Sequence, residues 1–147
     1  MKNVTNRTKV ALTVLCYLGL TLFVNSCKDD DTPPNCGCES ETRTTIPESA
    51  NLVGEMYYKT QSNDPMDTYY NNYFWIVYVE ENCINCVHSM IVCNEEIINN
   101  KFESIKETGE VVEVKFSGEL KDMCTLPVAF PADYTYERIT LTSIEQQ

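Results

Sequence analysis

The sequence predicts a mainly β, α+β fold: one small domain of five short strands with a single helix. Three observations carry that expectation. Aromatic, β-branched or alternating segments recur between residues 53 and 146, separated by turns rich in Asn, Asp, Gly and Pro. Only one stretch, 94–109, switches to the helical period. A hydrophobic fraction of 43% in 147 residues suits one compact domain and is too high for a wholly disordered chain.

The chain begins with an address rather than with the domain. Lys2, Arg7 and Lys9 form a short basic head, followed by the 15-residue apolar run from Val10 to Val24. A spanning helix needs about 20 residues, whereas a secretory signal core needs roughly 7–15. Residues 1–26 therefore read as a signal peptide, and Cys16 leaves with it.

The sequence then reads Val24-Asn25-Ser26-Cys27. This resembles a bacterial lipobox, with an aliphatic residue, a small residue and the cysteine that becomes acylated. Asn25 departs from the commonest pattern at its loosest position. The resemblance implies cleavage before Cys27 and anchoring by acyl chains, each buried methylene contributing about 0.8 kcal/mol. Lys28, Asp29, Asp30 and Asp31 follow directly. They resemble the acidic export signal of Bacteroidota lipoproteins carried to the outer face of the outer membrane. The expected location is thus the outer membrane, lipid-anchored and facing the cell surface, with the periplasmic face as the alternative.

Residues 27–50 read as a lipidated cysteine and an extended, cysteine-bearing tether without apolar periodicity. Residues 51–147 form the domain. The first strand is expected over 53–60, then a chain reversal at Asn63-Asp64-Pro65. The strand over 72–81 is apolar on both faces, with Phe74, Ile76 and Tyr78 on one and Tyr73, Trp75, Val77 and Val79 on the other. A shorter strand is expected over 88–93. Asn94 then reads as a helix N-cap, Glu95 and Glu96 suit the first turn, and Ile98, Phe102 and Ile105 share one face. Gly109 marks the end. Two strands follow, over 111–120 and 136–146.

The order β-β-β-α-β-β fits a small OB-like barrel, antiparallel and partly open, with its helix between the third and fourth strands. The segments "IVCNEE", "VVEVKFSGEL" and "YERITLTSIEQ" also resemble small Bacteroidota lipoproteins. That resemblance spans some of the domain only and implies a fold more than an activity.

Charge narrows the partners. The formal net charge is −11, and because the first 26 residues hold three bases and no acid, the remainder carries −14. Such a body repels nucleic-acid phosphates and anionic lipid heads. The membrane is met through the lipid alone, and the expected partner is an envelope protein or a glycan.

Setting aside Cys16 and Cys27, six of the eight cysteines remain: Cys36, Cys38, Cys83, Cys86, Cys93 and Cys124. An even number in an oxidising compartment reads as three disulfides. Neighbours as close as Cys36 and Cys38 bond to each other only with strain, so each is expected to strap the tether to the body. The preferred pairing joins them to Cys83 and Cys86 and leaves Cys93 with Cys124. Two alternatives use the same residues. Cys83-Ile84-Asn85-Cys86 looks like a thioredoxin-type motif, which would make the protein an extracytoplasmic thiol-disulfide oxidoreductase. Yet no helix signal follows Cys83 at once, no Trp precedes it and no Gly-Pro lies between the cysteines. Cys83, Cys86, His88 and Cys93 offer soft ligands, but not in a known zinc-finger spacing. The site expectation is therefore no metal and no cofactor.

No Walker loop, dinucleotide fingerprint, nucleophile elbow or HExxH is present. The remaining feature is the aromatic stretch holding Tyr69, Tyr70, Tyr73 and Trp75, which reads either as packing or as a binding face. The expected function is a non-enzymatic binding or accessory module. A purely structural envelope component is the other reading.

Overall fold

A computed structural model describes residues 34–61, 69–83, 85–98, 100–126 and 132–147. The signal run, Cys27, Lys28, Asp29, Asp30 and Asp31 lie outside the described residues, as do the Asn63-Asp64-Pro65 turn, Ile84, Pro127 and Pro131. No helix among the described residues is long and apolar enough to cross a membrane.

Six strands form one sheet: β1 (Thr44–Ile46), β2 (Val53–Lys59), β3 (Tyr73–Val79), β4 (Val87–Val92), β5 (Val112–Lys121) and β6 (Tyr134–Gln146). β2, β3 and β4 form an antiparallel meander. β4 pairs with β6 in parallel, β6 with β5 antiparallel, and β5 returns to β2. The five strands β2–β6 therefore close into an OB-like barrel. It is closed rather than partly open, and one of its pairings is parallel. Closure requires tight corners. A Cβ at Gly54 would stand 2.7 Å from the Val77 carbonyl oxygen, and one at Gly118 only 2.6 Å from that of Thr140. Gly118 sits where the β5–β6 register shifts, a bulge that bends the strand.

Strand alternation fills the interior with Met56, Phe74, Ile76, Met90, Val92, Val114, Phe116, Ile139 and Leu141. The end at which β4 leaves and β5 enters is sealed by the helical connection, a 3-10 turn (Glu95–Ile97) followed by α1 (Asn100–Glu103) and α2 (Ile105–Thr108). Ile98, Phe102 and Ile105 are buried against the core, as their shared face predicts. Gly109 ends α2 in the left-handed conformation, its N–H donating to the Ile105 carbonyl. Asn94 holds the N-cap position of the 3-10 turn, but its side chain makes no capping bond there. Its amide donates to the Leu141 carbonyl and accepts from the Leu141 N–H, holding the end of β4 to β6. Lys106 stands over the Phe74 and Tyr58 rings and pairs with Glu103 and Glu95.

Part of the segment before Asn51 packs with the barrel in one compact unit. Much of the expected tether is a strap laid along β5, and its β1 was not expected as a strand. Thr44, Thr45 and Ile46 pair with Leu120, Glu119 and Gly118. Upstream, the Gly37 N–H donates to the Asp122 carbonyl and Lys121 Nζ to the Cys38 carbonyl.

Candidate functional site

Among the described residues there are three disulfides, with a pairing that corrects the sequence expectation: Cys36–Cys124, Cys38–Cys93 and Cys83–Cys86. The physical reason is the strap. By pairing with β5, β1 draws Cys36 and Cys38 to the ends of β5 and β4, where Cys124 and Cys93 sit. Cys83 and Cys86 meet across the β3–β4 turn instead, with Cα atoms 5.4 Å apart. That turn leads into β4 and not into a helix, so Cys83 lacks the helix N-terminus that would activate a thiolate. Glu80, Cys83 and Cys86 bring donor atoms within 4.8 Å of one another. The two sulfurs are joined, which removes the thiolates a soft metal needs, and Cys93 is engaged with Cys38.

The aromatic residues form the outer face of the barrel across β2, β3 and β6. Trp75 points outward from β3 yet is only 4% exposed, because its neighbours cover it. Tyr57 stacks on it, Tyr136 meets it edge-on, and its indole N–H donates to the Tyr70 carbonyl, 3.2 Å away. The β2–β3 and β5–β6 connections meet over this face, where the Tyr70 hydroxyl donates to the Thr125 carbonyl and accepts from the Thr125 N–H. Tyr69 and Tyr70 are half-buried, and Tyr73 is exposed. Burial, with the neighbouring Tyr134, pushes the Tyr136 hydroxyl above its ordinary pKa.

Two cations belong to this face. Lys59 lies 5.5 Å from the Trp75 ring and donates to the Tyr69 carbonyl. Arg138 lies 4.6 Å from the Tyr70 ring and 5.1 Å from the Tyr73 ring. No carboxylate among the described residues forms an ion pair with Arg138. The sequence expectation thus divides. Tyr69, Tyr70, Tyr73 and Trp75 share one face, but Trp75 is its foundation and Tyr73 its accessible surface.

A second cluster was not foreseen. Glu137 points into the barrel, its side chain 3% exposed. It pairs with Arg43 of the strap and lies 3.3 Å from His88 Nδ1. His88 Nε2 is 2.8 Å from Glu80, and Arg43 also approaches Asp122. Glu137 could have been found from alternation, since it shares the inward parity of Ile139 and Leu141. Arg43 gave no such signal, because its partner lies on the last strand.

No protein-family model and no curated protein matches the chain.

Proposed function

We propose that the protein is a lipid-anchored, non-enzymatic binding module of the cell envelope, tethered through Cys27 at the outer membrane surface, which engages a glycan or protein partner with the outer aromatic face. The observation that carries this reading is the arrangement of Arg138 between Tyr70 and Tyr73. A guanidinium without a described ion-pair partner, close to the half-buried Tyr70 ring and the exposed Tyr73 ring on an acidic body, is a recognition surface more readily than a packing device. OB-like barrels bind oligosaccharides and oligonucleotides on the face of their second and third strands with the flanking loops, a region that here includes β3 and the β2–β3 and β5–β6 connections. The negative body disfavours the polyanion. A neutral glycan stacked on Tyr73 is the partner that best fits the remaining chemistry, because rigid aromatic side chains supply contact area at low entropic cost.

A glycan array probed with the mature chain, followed by Tyr73→Ala and Arg138→Ala, tests the face. Binding should fall about ten-fold or more in each variant, as for a central aromatic or arginine contact. Undiminished binding in both removes the aromatic face. The address is tested separately. Cys27→Ala should abolish fatty-acid labelling, and protease should remove the domain from intact cells; digestion only after lysis would place it on the periplasmic side.

A further inference from the structure

The end of the barrel opposite the helical plug is open, and its mouth holds a cavity of about 540 Å3. That volume falls within the roughly 300–1,000 Å3 of small-ligand pockets, for which barrel mouths are a common place. Its floor is apolar: Met90 and Leu120 are buried there beside Tyr78. Its walls include Val53 and Val79, which are 42% and 55% exposed. Two of the five large hydrophobic side chains exposed among the described residues thus line one hollow.

The polar lining is one-sided. Its charged lining residues are Glu80 and Glu81, beside Asn51, Asn82 and His88, with no lysine or arginine. The nearby Arg43 is engaged by Glu137 and Asp122. His88, also in the lining, contacts one carboxylate oxygen of Glu80 and is itself held by buried Glu137. The second Glu80 oxygen is left for another donor. The Tyr78 ring lies beside the imidazole, centroids 5.9 Å apart, and offers a π surface.

We infer that the barrel mouth binds a small organic ammonium with a short hydrocarbon body. The ammonium sits at Glu80 and Glu81, and the hydrocarbon lies on Met90, Tyr78 and Leu120. The chain Arg43–Glu137–His88 is the positioning device that fixes the Glu80 carboxylate at the rim. This site is separate from the aromatic face and does not depend on its function.

The test uses the mature chain from Cys27, unlipidated, with the Met90 methyl followed by NMR at neutral pH. The probes are n-hexylammonium, 1-hexanol and hexanoate. Hexylammonium should shift the Met90 methyl saturably, with the alcohol and the acid at least about five-fold weaker. Glu81→Gln, an exposed change that leaves the His88 network intact, should weaken hexylammonium by about five-fold, and Tyr73→Ala should leave it unchanged. Equal binding of hexanol would show an apolar crevice without preference for a cation and overturn the proposal. So would the absence of a saturable Met90 shift, or hexylammonium binding unaffected by both Glu81→Gln and Glu80→Gln.

Discussion

The two ends of the barrel are closed by different physics. At one end, Ile98, Phe102 and Ile105 descend from a helical connection between consecutive strands and bury themselves on the core. At the other, among the described residues, Ile46 and Leu52 of the strap are only partly buried against the core and leave a hollow. The strap crosses beside the mouth, fixed at the exit of β5 by Cys36–Cys124 at a sequence separation of 88, and Arg43 reaches from it to Glu137; Cys38–Cys93, at a separation of 55, ties the same strap to the exit of β4. The sealed end is held by area and the open end by ties between distant parts of the chain.

The largest test of this contrast is Phe102→Ala. Its ring is almost fully buried, so the change should cost about 3–5 kcal/mol in urea unfolding. Val79→Ala at the mouth should stay within about 0.5 kcal/mol. Similar losses for both would mean that the mouth is packed as firmly as the plug.

The second test concerns the ties. Replacing Cys38 and Cys93 by alanine opens a long loop, and the chain-entropy account assigns that bond about 4 kcal/mol, or somewhat less in practice. The Cys83–Cys86 bond spans a separation of only 3, for which the same account gives about 2 kcal/mol. Denaturation midpoints of the two double variants should therefore differ clearly, with the Cys38/Cys93 pair the more damaging. If the order were reversed, the β3–β4 turn and not the strap would hold the mouth.

That contrast also explains what was legible in the sequence. The plug could be read because Ile98, Phe102 and Ile105 declare themselves by local period, as do the alternating strands β5 and β6. The barrel order followed from the elements. The closing ties could not be read. Thr44–Ile46 is too short and polar to announce a strand, and it exists because β5 offers it an edge. The disulfide partners depend on that edge, so the expected pairing failed with it. Asn94 looked like a cap because capping is the local use of asparagine; the backbone of β6, 47 residues away, was the stronger partner. Of the aromatic face, residue identity was legible but coverage was not. Whether Trp75 is surface or foundation depends on Tyr70 and Thr125, which sequence distance separates.

A smaller effect is expected at Arg43. Its removal leaves the Glu137 carboxylate buried with only His88 beside it, and an uncompensated buried charge is costly. Because Arg43 itself is half-exposed, the loss in Arg43→Ala should be about 2 kcal/mol and not the full cost of a buried pair. Arg43→Met combined with Glu137→Leu should recover most of it, since apolar groups of similar volume remove the unpaired charge. Failure of the double variant to recover would show that the pair also orders the strap.

The smallest test probes the Lys106 ionic cluster at the sealed end. Burial lowers the Lys106 pKa, but its hydrogen bond to Glu103 and the charges of Glu95 and Glu103 outweigh that and leave it above its ordinary 10.5. A lysine whose folded pKa is raised contributes stability that is fully present below 10.5 and is lost as pH rises through the folded value. The network described at the mouth, Arg43, Glu137, His88 and Glu80, contains no lysine. Alkaline pH should therefore loosen the plug end first. The pairs of Lys106 are near the surface, so the loss should stay below about 1 kcal/mol. Tyr136 is also raised and titrates in the same direction, but it does so equally in wild type and in Lys106→Met. The difference between their stability curves above pH 10.5 isolates Lys106. A flat difference would mean that Glu95 and Glu103 only solvate the plug, and that burial alone holds the sealed end.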